Sequence, residues 1–166
     1  APPPTQVHAN GLQTWPLDLG DGVLAAVTTR HGVRSTGAYA GCNLAFHVGD
    51  DPAAVRANRA LVSVALGVDR LTVADQQHGR TVAVIDEALA GAGHDSLEDA
   101  VARLPATDGL VTDVPGVALA VLVADCAPVV LHDPVRGALG VAHAGRRGVV
   151  LDVVGATIDA LRERYG

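Results

Sequence analysis

A cysteine and a histidine are expected at the ends of strands in the second half of the chain. Residues 117–123 are apolar and rich in β-branched side chains, which favours a buried strand that leads to Cys126. Residues 129–143 contain two more strand-like runs around a turn with Pro and Gly, and they predict a hairpin that ends at His143. Such a hairpin would bring the cysteine and this histidine together. With His78 they make a three-ligand metal site plausible.

Four short motifs give these residues a context. In chain order they are QQHG at 76–79, TDGLVT at 107–112, ADCAP at 124–128 and HAGRRG at 143–148. They resemble the motifs of the bacterial YfiH/YlmD-like family, which has been labelled both polyphenol oxidase (laccase) and zinc-dependent purine nucleoside phosphorylase. Residues 31–51 and the pair Asn58-Arg59 are similar to its N-terminal signatures. The resemblance runs from about Val23 to the end of the chain.

The resemblance places the family's metal ligands on His78, Cys126 and His143. The chemistry of the side chains agrees, because Zn²⁺ binds imidazole and thiolate readily, and three protein ligands leave a fourth position for water or substrate. Zinc is therefore the expected cofactor. Copper is a weaker expectation, because laccase-type catalysis needs several histidine-rich centres and the chain has no His-x-His pair. The alternative to a metal site is a buried free cysteine with two unrelated, partly exposed histidines.

A second group of residues is expected to bind substrate. The resemblance puts Asn43 and Arg59 near the active cleft, where an amide and a guanidinium can orient phosphate or ribose. The turn after His143 leads into a predicted helix, so its free N–H groups and two arginines favour an anion. The residues assigned to substrate or phosphate are Asn43, Arg59, Gly145, Arg146 and Arg147. The family typically has Trp at the position of Arg146.

The function implied by the resemblance is phosphorolysis of adenosine, inosine or methylthioadenosine, together with adenosine deamination. Two other functions stay open. Cys126 can be a nucleophile with His143 as its base in a metal-independent hydrolase, or the chain can be a non-catalytic zinc-binding interaction module. Asp125 and Cys126 are the candidate catalytic residues, although adjacent residues of a strand face opposite ways.

Composition limits the partners. The 166 residues carry a net charge of −6, and few are aromatic, which argues against a nucleic-acid surface. No apolar run approaches the ~20 residues of a membrane span. Two cysteines do not make a disulfide framework, so a cytoplasmic location is expected. The expected partners are a purine nucleoside and phosphate, and the sequence does not indicate an oligomeric state.

The clearest helix signal lies near the middle of the chain. Asp51 is a good N-cap, Pro52 suits the first turn, and Gly67 follows the last helical residue, Leu66. The other predicted elements are strands at 23–29, 71–74 and 81–85, a surface loop at 87–104 with a helical turn near 97–103, and a helix at 148–164 whose apolar stripe begins with Val149 and Val150. The residues expected to be exposed to solvent are His8, His94 and His132, and Cys42 is expected to be a small packing residue.

The order of these elements indicates the fold class. Strands and helices do not alternate regularly, which favours an α+β fold over a doubly wound one. We expect mixed β-sheets in a layered arrangement with helices packed outside, as the resemblance also implies. The expected organisation is an N-terminal arm over residues 1–22 and a single domain over residues 23–166, shorter at its C-terminus than most family members.

Overall fold

The computed structural model of the chain describes residues 4–31 and 34–166. It has the predicted α+β architecture, with mixed sheets and helices, in two compact units, Ala1–Asp69 and Arg70–Gly166. Residues 1–3, which belong to the predicted arm, and residues 32–33 lie outside the described ranges. None of the helices in those ranges combines the length and the apolar composition that a membrane crossing needs.

The first unit contains a sheet and a helix. Strands β1 (Gln6–Val7), β2 (Gln13–Leu17) and β3 (Ala25–Thr28) pair antiparallel in that order. Segment 1–22, which we expected to be an arm, therefore contributes two strands to the same sheet as β3. A long loop with a short 3-10 helix at Gly37–Tyr39 then leads to helix α1 (Pro52–Leu66).

Helix α1 begins and ends at the predicted residues. The Asp51 side chain accepts a hydrogen bond from the Ala53 N–H, and Gly67 closes the helix with a left-handed φ of 67°. The side chains of Val55, Arg59 and Val62 lie on the buried face, at helical spacing.

The second unit is built around a four-stranded sheet. Its strands are β5 (Val82–Val84), β6 (Gly109–Thr112), β8 (Ala127–Asp133) and β9 (Ala138–Ala144), in the order β5-β6-β9-β8. Strands β5 and β6 are parallel, and the other two pairings are antiparallel, so the sheet is mixed. The β8–β9 pair is the predicted hairpin. Strands β4 (Leu71–Val73) and β7 (Ala118–Ala120) form a separate parallel pair.

The two faces of the four-stranded sheet pack against different layers. Alternate residues of β9 point to opposite sides, so Val141 joins a core with Ile85 and Leu110, against which Leu119 of β7 also packs. On the other side Gly140 leaves room for Leu161 of helix α4 (Val153–Tyr165). The predicted layered arrangement, with a helix outside the sheet, is confirmed.

The strand predicted at 117–123 is shorter than expected. Only Ala118–Ala120 is β-structure, it pairs with β4, and its side chains are half-buried. Cys126 therefore does not follow directly from this strand. It lies immediately before β8, and this position, next to the hairpin, brings it near His143.

The helix predicted at 148–164 is interrupted. Helix α3 spans Arg146–Val150, and α4 starts at Val153 after Asp152 takes a left-handed conformation with φ of 63°. The Asp152 carboxylate accepts the Gly155 N–H, so it caps a new helix where a continuous one was expected. Val149 and Val150 are 58% and 82% exposed and do not belong to the buried stripe.

The segment predicted as a surface loop at 87–104 is partly core. Helix α2 (Leu97–Arg103) forms at the predicted place, but Ala92 and Leu104 belong to the hydrophobic core. His94, expected in solvent, is 7% exposed, and its Nδ1 accepts the Leu71 N–H. Gly91 and Gly93, both with positive φ, allow this inward course, which periodicity alone did not indicate.

A pair of glycine variants tests this inward segment. A Cβ at Gly93 would lie 1.9 Å from the Val73 carbonyl oxygen, whereas a Cβ at Gly116 would meet nothing within 4 Å. Both glycines have a positive φ, 72° and 79°, so replacement by alanine costs about 1–2 kcal/mol of backbone strain at either position. We expect Gly93→Ala to lower the free energy of unfolding by about 1–3 kcal/mol more than Gly116→Ala. Urea unfolding measures the difference, and equal losses would contradict the packing described here.

Candidate metal centre

Three side chains converge at one end of the four-stranded sheet. Ligand atoms of His78, Cys126 and His143 all lie within 4.8 Å of one another. The Cys126 sulfur is 3.8 Å from Nε2 of His78, and the two imidazole rings meet edge to face with centroids 4.7 Å apart. Ligands of a tetrahedral zinc ion are about 3.3–3.7 Å apart at bond lengths of about 2.0–2.3 Å. Small side-chain rotations are therefore enough to close this group around one ion.

Each of the three comes from a different local structure. His78 lies in the turn between β4 and β5 and adopts a left-handed φ of 57°, which is unusual for a residue other than glycine. Cys126 is the residue before β8. His143 lies in β9, and the register pairs it with Pro128, two residues beyond the cysteine. His143 is 3% exposed, Cys126 is partly exposed and His78 is exposed, so the group opens to solvent on one side.

Gly145 forms a wall of the site. A Cβ there would lie 2.7 Å from Cδ2 of His78 and 2.9 Å from the sulfur of Cys126. Its φ of −72° is ordinary, so the requirement for glycine comes from space and not from backbone strain. The sequence assigned Gly145 to phosphate binding. The structure gives it a contact with two of the three potential ligands.

Asp108 is the residue of the site that sequence reasoning missed. Its side chain is fully buried and accepts hydrogen bonds from the backbone N–H groups of Gln77, His78 and Gly79 and from Nδ1 of His143. Burial is the largest influence and raises the pKa of Asp108, but these four hydrogen bonds together hold the pKa below its ordinary value. The motif TDGLVT contained the available signal, an acid directly before a buried strand.

Asp125 faces the sulfur of Cys126. One of its carboxylate oxygens is 3.7 Å from Sγ, although the residue itself is exposed. In the metal-free protein, desolvation first and then the Asp125 carboxylate and the Asp108 charge raise the pKa of the Cys126 thiol. A nucleophilic cysteine needs the opposite, a lowered pKa. These surroundings disfavour the metal-independent hydrolase.

Asn43, a predicted substrate residue, lies in the first unit and is engaged with its own loop. Its amide nitrogen donates to the Ala45 carbonyl and to the Asp50 carboxylate, and its side-chain oxygen accepts the Ala45 N–H. The hydrogen bond from Asn43 is the main cause of the lowered pKa of Asp50. In the structure Asn43 therefore organises the loop before α1.

Arg59 also lies in the first unit and is 2% exposed. Its Nε donates to the Leu44 carbonyl at 2.8 Å, and its guanidinium carbon lies 4.5 Å from the centroid of the Phe46 ring. Such a cation–π contact and a buried hydrogen bond stabilise the loop. Its predicted role in phosphate binding rests on the resemblance.

Arg146 and Arg147 are exposed at the start of α3. They follow Gly145, the wall of the candidate metal site, directly in the chain. Helix α3 has five residues, so the helix dipole at this turn is weaker than that of the long helix the sequence predicted. Any attraction for an anion here must come mainly from the two guanidinium groups.

The remaining histidines and Cys42 lie elsewhere. His8 pairs with the Thr14 hydroxyl, and His8 and His132 are half-buried, not fully exposed as predicted. Cys42 is partly buried, as expected for a packing residue, and burial raises its pKa to about 11. Within residues 4–31 and 34–166, no second group of three potential ligands comes together.

Comparison with known proteins identifies the family. Residues 24–166 match the profile described as multi-copper polyphenol oxidoreductase laccase. The chain belongs to this YfiH/YlmD-like family. A solved structure, the hypothetical protein YfiH of Bacillus licheniformis, superposes on 97% of the chain and 59% of its own with a TM-score of 0.86 and 32% identity. The α+β fold and the family resemblance are therefore both confirmed.

Curated relatives carry enzymatic names. The purine nucleoside phosphorylase ORF3 of Streptomyces griseus is 48% identical over 82% of the chain and 52% of its own length. The adenosine deaminase RL5 of an unknown prokaryotic organism is 40% identical over 88% of the chain and 59% of its own length. The chain thus spans about half the length of the curated relatives it matches.

A glycine variant tests the wall of the site. We expect Gly145→Ala to weaken Zn²⁺ binding by at least about tenfold, because the new methyl group displaces His78 or Cys126 from the shared position, a shift of the kind that costs metal sites 10–100-fold. Competition with a chromophoric chelator measures the affinity.

The matched control is Gly140→Ala. The three atoms nearest to its methyl group would belong to Leu161, Thr157 and Leu131, at 3.1 to 3.5 Å, and none of these residues is part of the candidate metal site. This variant should lose some stability and keep its zinc affinity. Equal zinc affinities in the two variants would show that Gly145 does not shape the site.

Proposed function

We propose that the chain carries the zinc site of a purine nucleoside phosphorylase that acts on adenosine, inosine or methylthioadenosine. The observation that carries the proposal is the convergence of His78, Cys126 and His143. The names of the curated relatives supply the reaction class. Since the chain spans about half of those relatives, its own activity and substrates are part of the proposal.

Zinc is the metal that best fits the donor set. Imidazole and thiolate are both ordinary ligands of zinc, and three protein ligands leave an open position, as catalytic zinc sites do. The exposed side of the group, where His78 lies, is suitable for that position. A zinc ion bound here would supply Lewis acidity. Copper is the weaker proposal, because a multicopper enzyme needs further histidine-rich centres.

The chain's own residues would prepare the site for substrate. His143 is buried and anchored, whereas His78 and Cys126 reach the surface, so a nucleoside can approach from the solvent side. Arg146 and Arg147 are exposed beside Gly145 and can neutralise an incoming phosphate. We propose them as the phosphate-binding groups. Asn43 and Arg59 stay predictions for substrate binding that the resemblance alone supports.

Adenosine deamination is the second proposed activity. It is supported by the relative named adenosine deaminase and by the carboxylate of Asp125, which lies 3.7 Å from the Cys126 sulfur. An exposed carboxylate beside the metal ligands can take up and release a proton during attack of water on the purine ring. Asp125 is therefore the proposed acid–base group.

A cytoplasmic location agrees with a thiolate ligand and stays a prediction, as do the expected absence of nucleic-acid and membrane partners. The non-catalytic zinc module is an alternative beside the metal-independent hydrolase. It differs from the enzyme in one measurable respect, turnover at full zinc occupancy.

Cysteine variants test the proposal. We expect Cys126→Ala to lose most of its zinc and its phosphorolysis of adenosine and inosine, because one of three protein ligands is gone. Cys42→Ala, the matched control, should keep both, since Cys42 is not part of the ligand group. Metal analysis and assays with and without phosphate are the measurements.

Each other outcome of this experiment points to one alternative. Activity lost while zinc is retained would support a nucleophilic Cys126. A wild-type protein that is fully loaded with zinc and inert on every nucleoside would support the interaction module. Turnover of adenosine that does not depend on phosphate would favour the deaminase.

Arginine variants test the phosphate site. We expect Arg146→Ala and Arg147→Ala to raise the KM for phosphate by about 10–100-fold, the value of a charged hydrogen bond, with a smaller change in the KM for nucleoside. Arg162→Ala, which removes an exposed arginine of α4, is the control and should change neither KM. An unchanged phosphate KM in both the Arg146 and the Arg147 variant would contradict the proposal.

Arg59→Ala is expected to affect stability. It should lower the free energy of unfolding by about 1.5–3 kcal/mol, because the buried contacts of Arg59 are lost.

A further inference from the structure

The buried carboxylate of Asp108 contacts both histidines of the candidate metal site. One oxygen, Oδ1, is 2.8 Å from Nδ1 of His143 and 2.9 Å from the backbone nitrogen of His78. The other, Oδ2, accepts from the backbone N–H groups of Gln77 at 3.1 Å and Gly79 at 2.7 Å. A single side chain thus links the turn that carries one histidine to the ring of the other.

The contact with His143 decides which ring nitrogen faces the site. An ionised carboxylate is only an acceptor, so Nδ1 of His143 must carry the proton. The lone pair of a neutral imidazole is then on Nε2. The backbone of His143 is held at the same place, because its N–H donates to the carbonyl of Asp108 at 2.8 Å. His143 therefore has both its ring and its main chain tied to one residue.

The contacts with the turn hold His78 in an unfavourable conformation. Its left-handed φ costs about 1–2 kcal/mol for a residue with a Cβ. Three successive N–H groups, from Gln77 to Gly79, point at the Asp108 carboxylate and form an anion-binding nest. Charged hydrogen bonds of this kind offset the strain.

We propose that Asp108 is a positioning residue that sets the tautomer of His143 and the conformation of the His78 turn, so that both imidazoles are ready to bind one metal ion. This role rests on the proposed zinc site. It goes beyond the ligand set, because the side-chain contacts of Asp108 are with the ring of His143 and with the turn of His78, so that it acts through two candidate ligands.

The first test needs no substitution. In metal-free wild-type protein at alkaline pH, ¹⁵N NMR of the histidine rings should show His143 as the Nδ1–H tautomer. The Nε2–H tautomer would overturn the proposal. This measurement depends neither on activity nor on bound zinc.

The second test is Asp108→Asn. The amide oxygen can keep the two hydrogen bonds of Oδ2, which leaves the NH₂ group where Oδ1 was, facing Nδ1 of His143 and the backbone N–H of His78. A donor at that place converts His143 to the Nε2–H tautomer and removes the lone pair from the site. We expect the NMR signature to switch and the affinity for Zn²⁺ and Co²⁺ to fall by about 10–100-fold.

Asp75→Asn is the matched control. Asp75 is a half-buried acid two residues after β4, and its carboxylate accepts hydrogen bonds from the Gln77 side chain and from the Ala106 N–H, neither of which is a candidate ligand. This variant should keep the wild-type tautomer and metal affinity. Asp108→Asn with the same tautomer and affinity as Asp75→Asn would overturn the proposal. If Asp108→Asn does not fold, the wild-type tautomer decides.

Failure of the proposed function gives a different result. A protein that shows the Nδ1–H tautomer and its switch in Asp108→Asn, yet is inert on nucleosides, would remove the phosphorylase and leave the positioning role intact. Loss of activity in Cys126→Ala, together with an Asp108→Asn variant that keeps the wild-type tautomer and zinc affinity, would support the phosphorylase and remove the positioning role.

Discussion

The antiparallel register of β8 on β9 is the constraint on which the candidate site depends. It pairs Pro128 with His143 and so brings the residue before β8, Cys126, beside the end of β9. Because side chains alternate along a strand, a slip of one residue would turn His143 to the other face of the sheet and separate it from the cysteine. Two further interactions complete the arrangement, the pairing of β6 with β9 and the hydrogen bonds of Asp108, which bring the turn of His78 to the same place.

Features governed by local interactions could be predicted from the sequence. The bounds of α1 followed from its caps, Asp51 and Gly67, and the β8–β9 hairpin followed from two apolar runs around a Pro- and Gly-containing turn. The candidate metal ligands were identified through the motifs of the family and by their chemistry. Nothing in their own spacing along the chain would have shown that His78 joins the other two.

The features that the sequence did not reveal depend on long-range contacts. Asp108 acquires its role only when three amides of a distant turn and a ring from β9 surround it. The inward course of residues 91–94 depends on packing against β4, and the hydrophobic periodicity of the sequence does not indicate such packing. The break at Asp152 was missed because a left-handed aspartate and a helix-interior aspartate look the same in an amphipathic pattern.

The interruption between α3 and α4 separates a helix that is exposed to solvent from a helix that packs on the sheet. Helix α4 is anchored in the fold by Val153 and Thr157, which are fully buried, whereas α3 presents Arg146, Arg147 and two exposed valines to solvent. Because Asp152 ends one helix and starts the next, the exposed residues of α3 can be exchanged with little effect on the packing of α4 on the sheet. Side chains on this exposed face can thus change at little cost in stability. Arg146, at the position where the resemblance leads us to expect tryptophan, is a change that such a division tolerates.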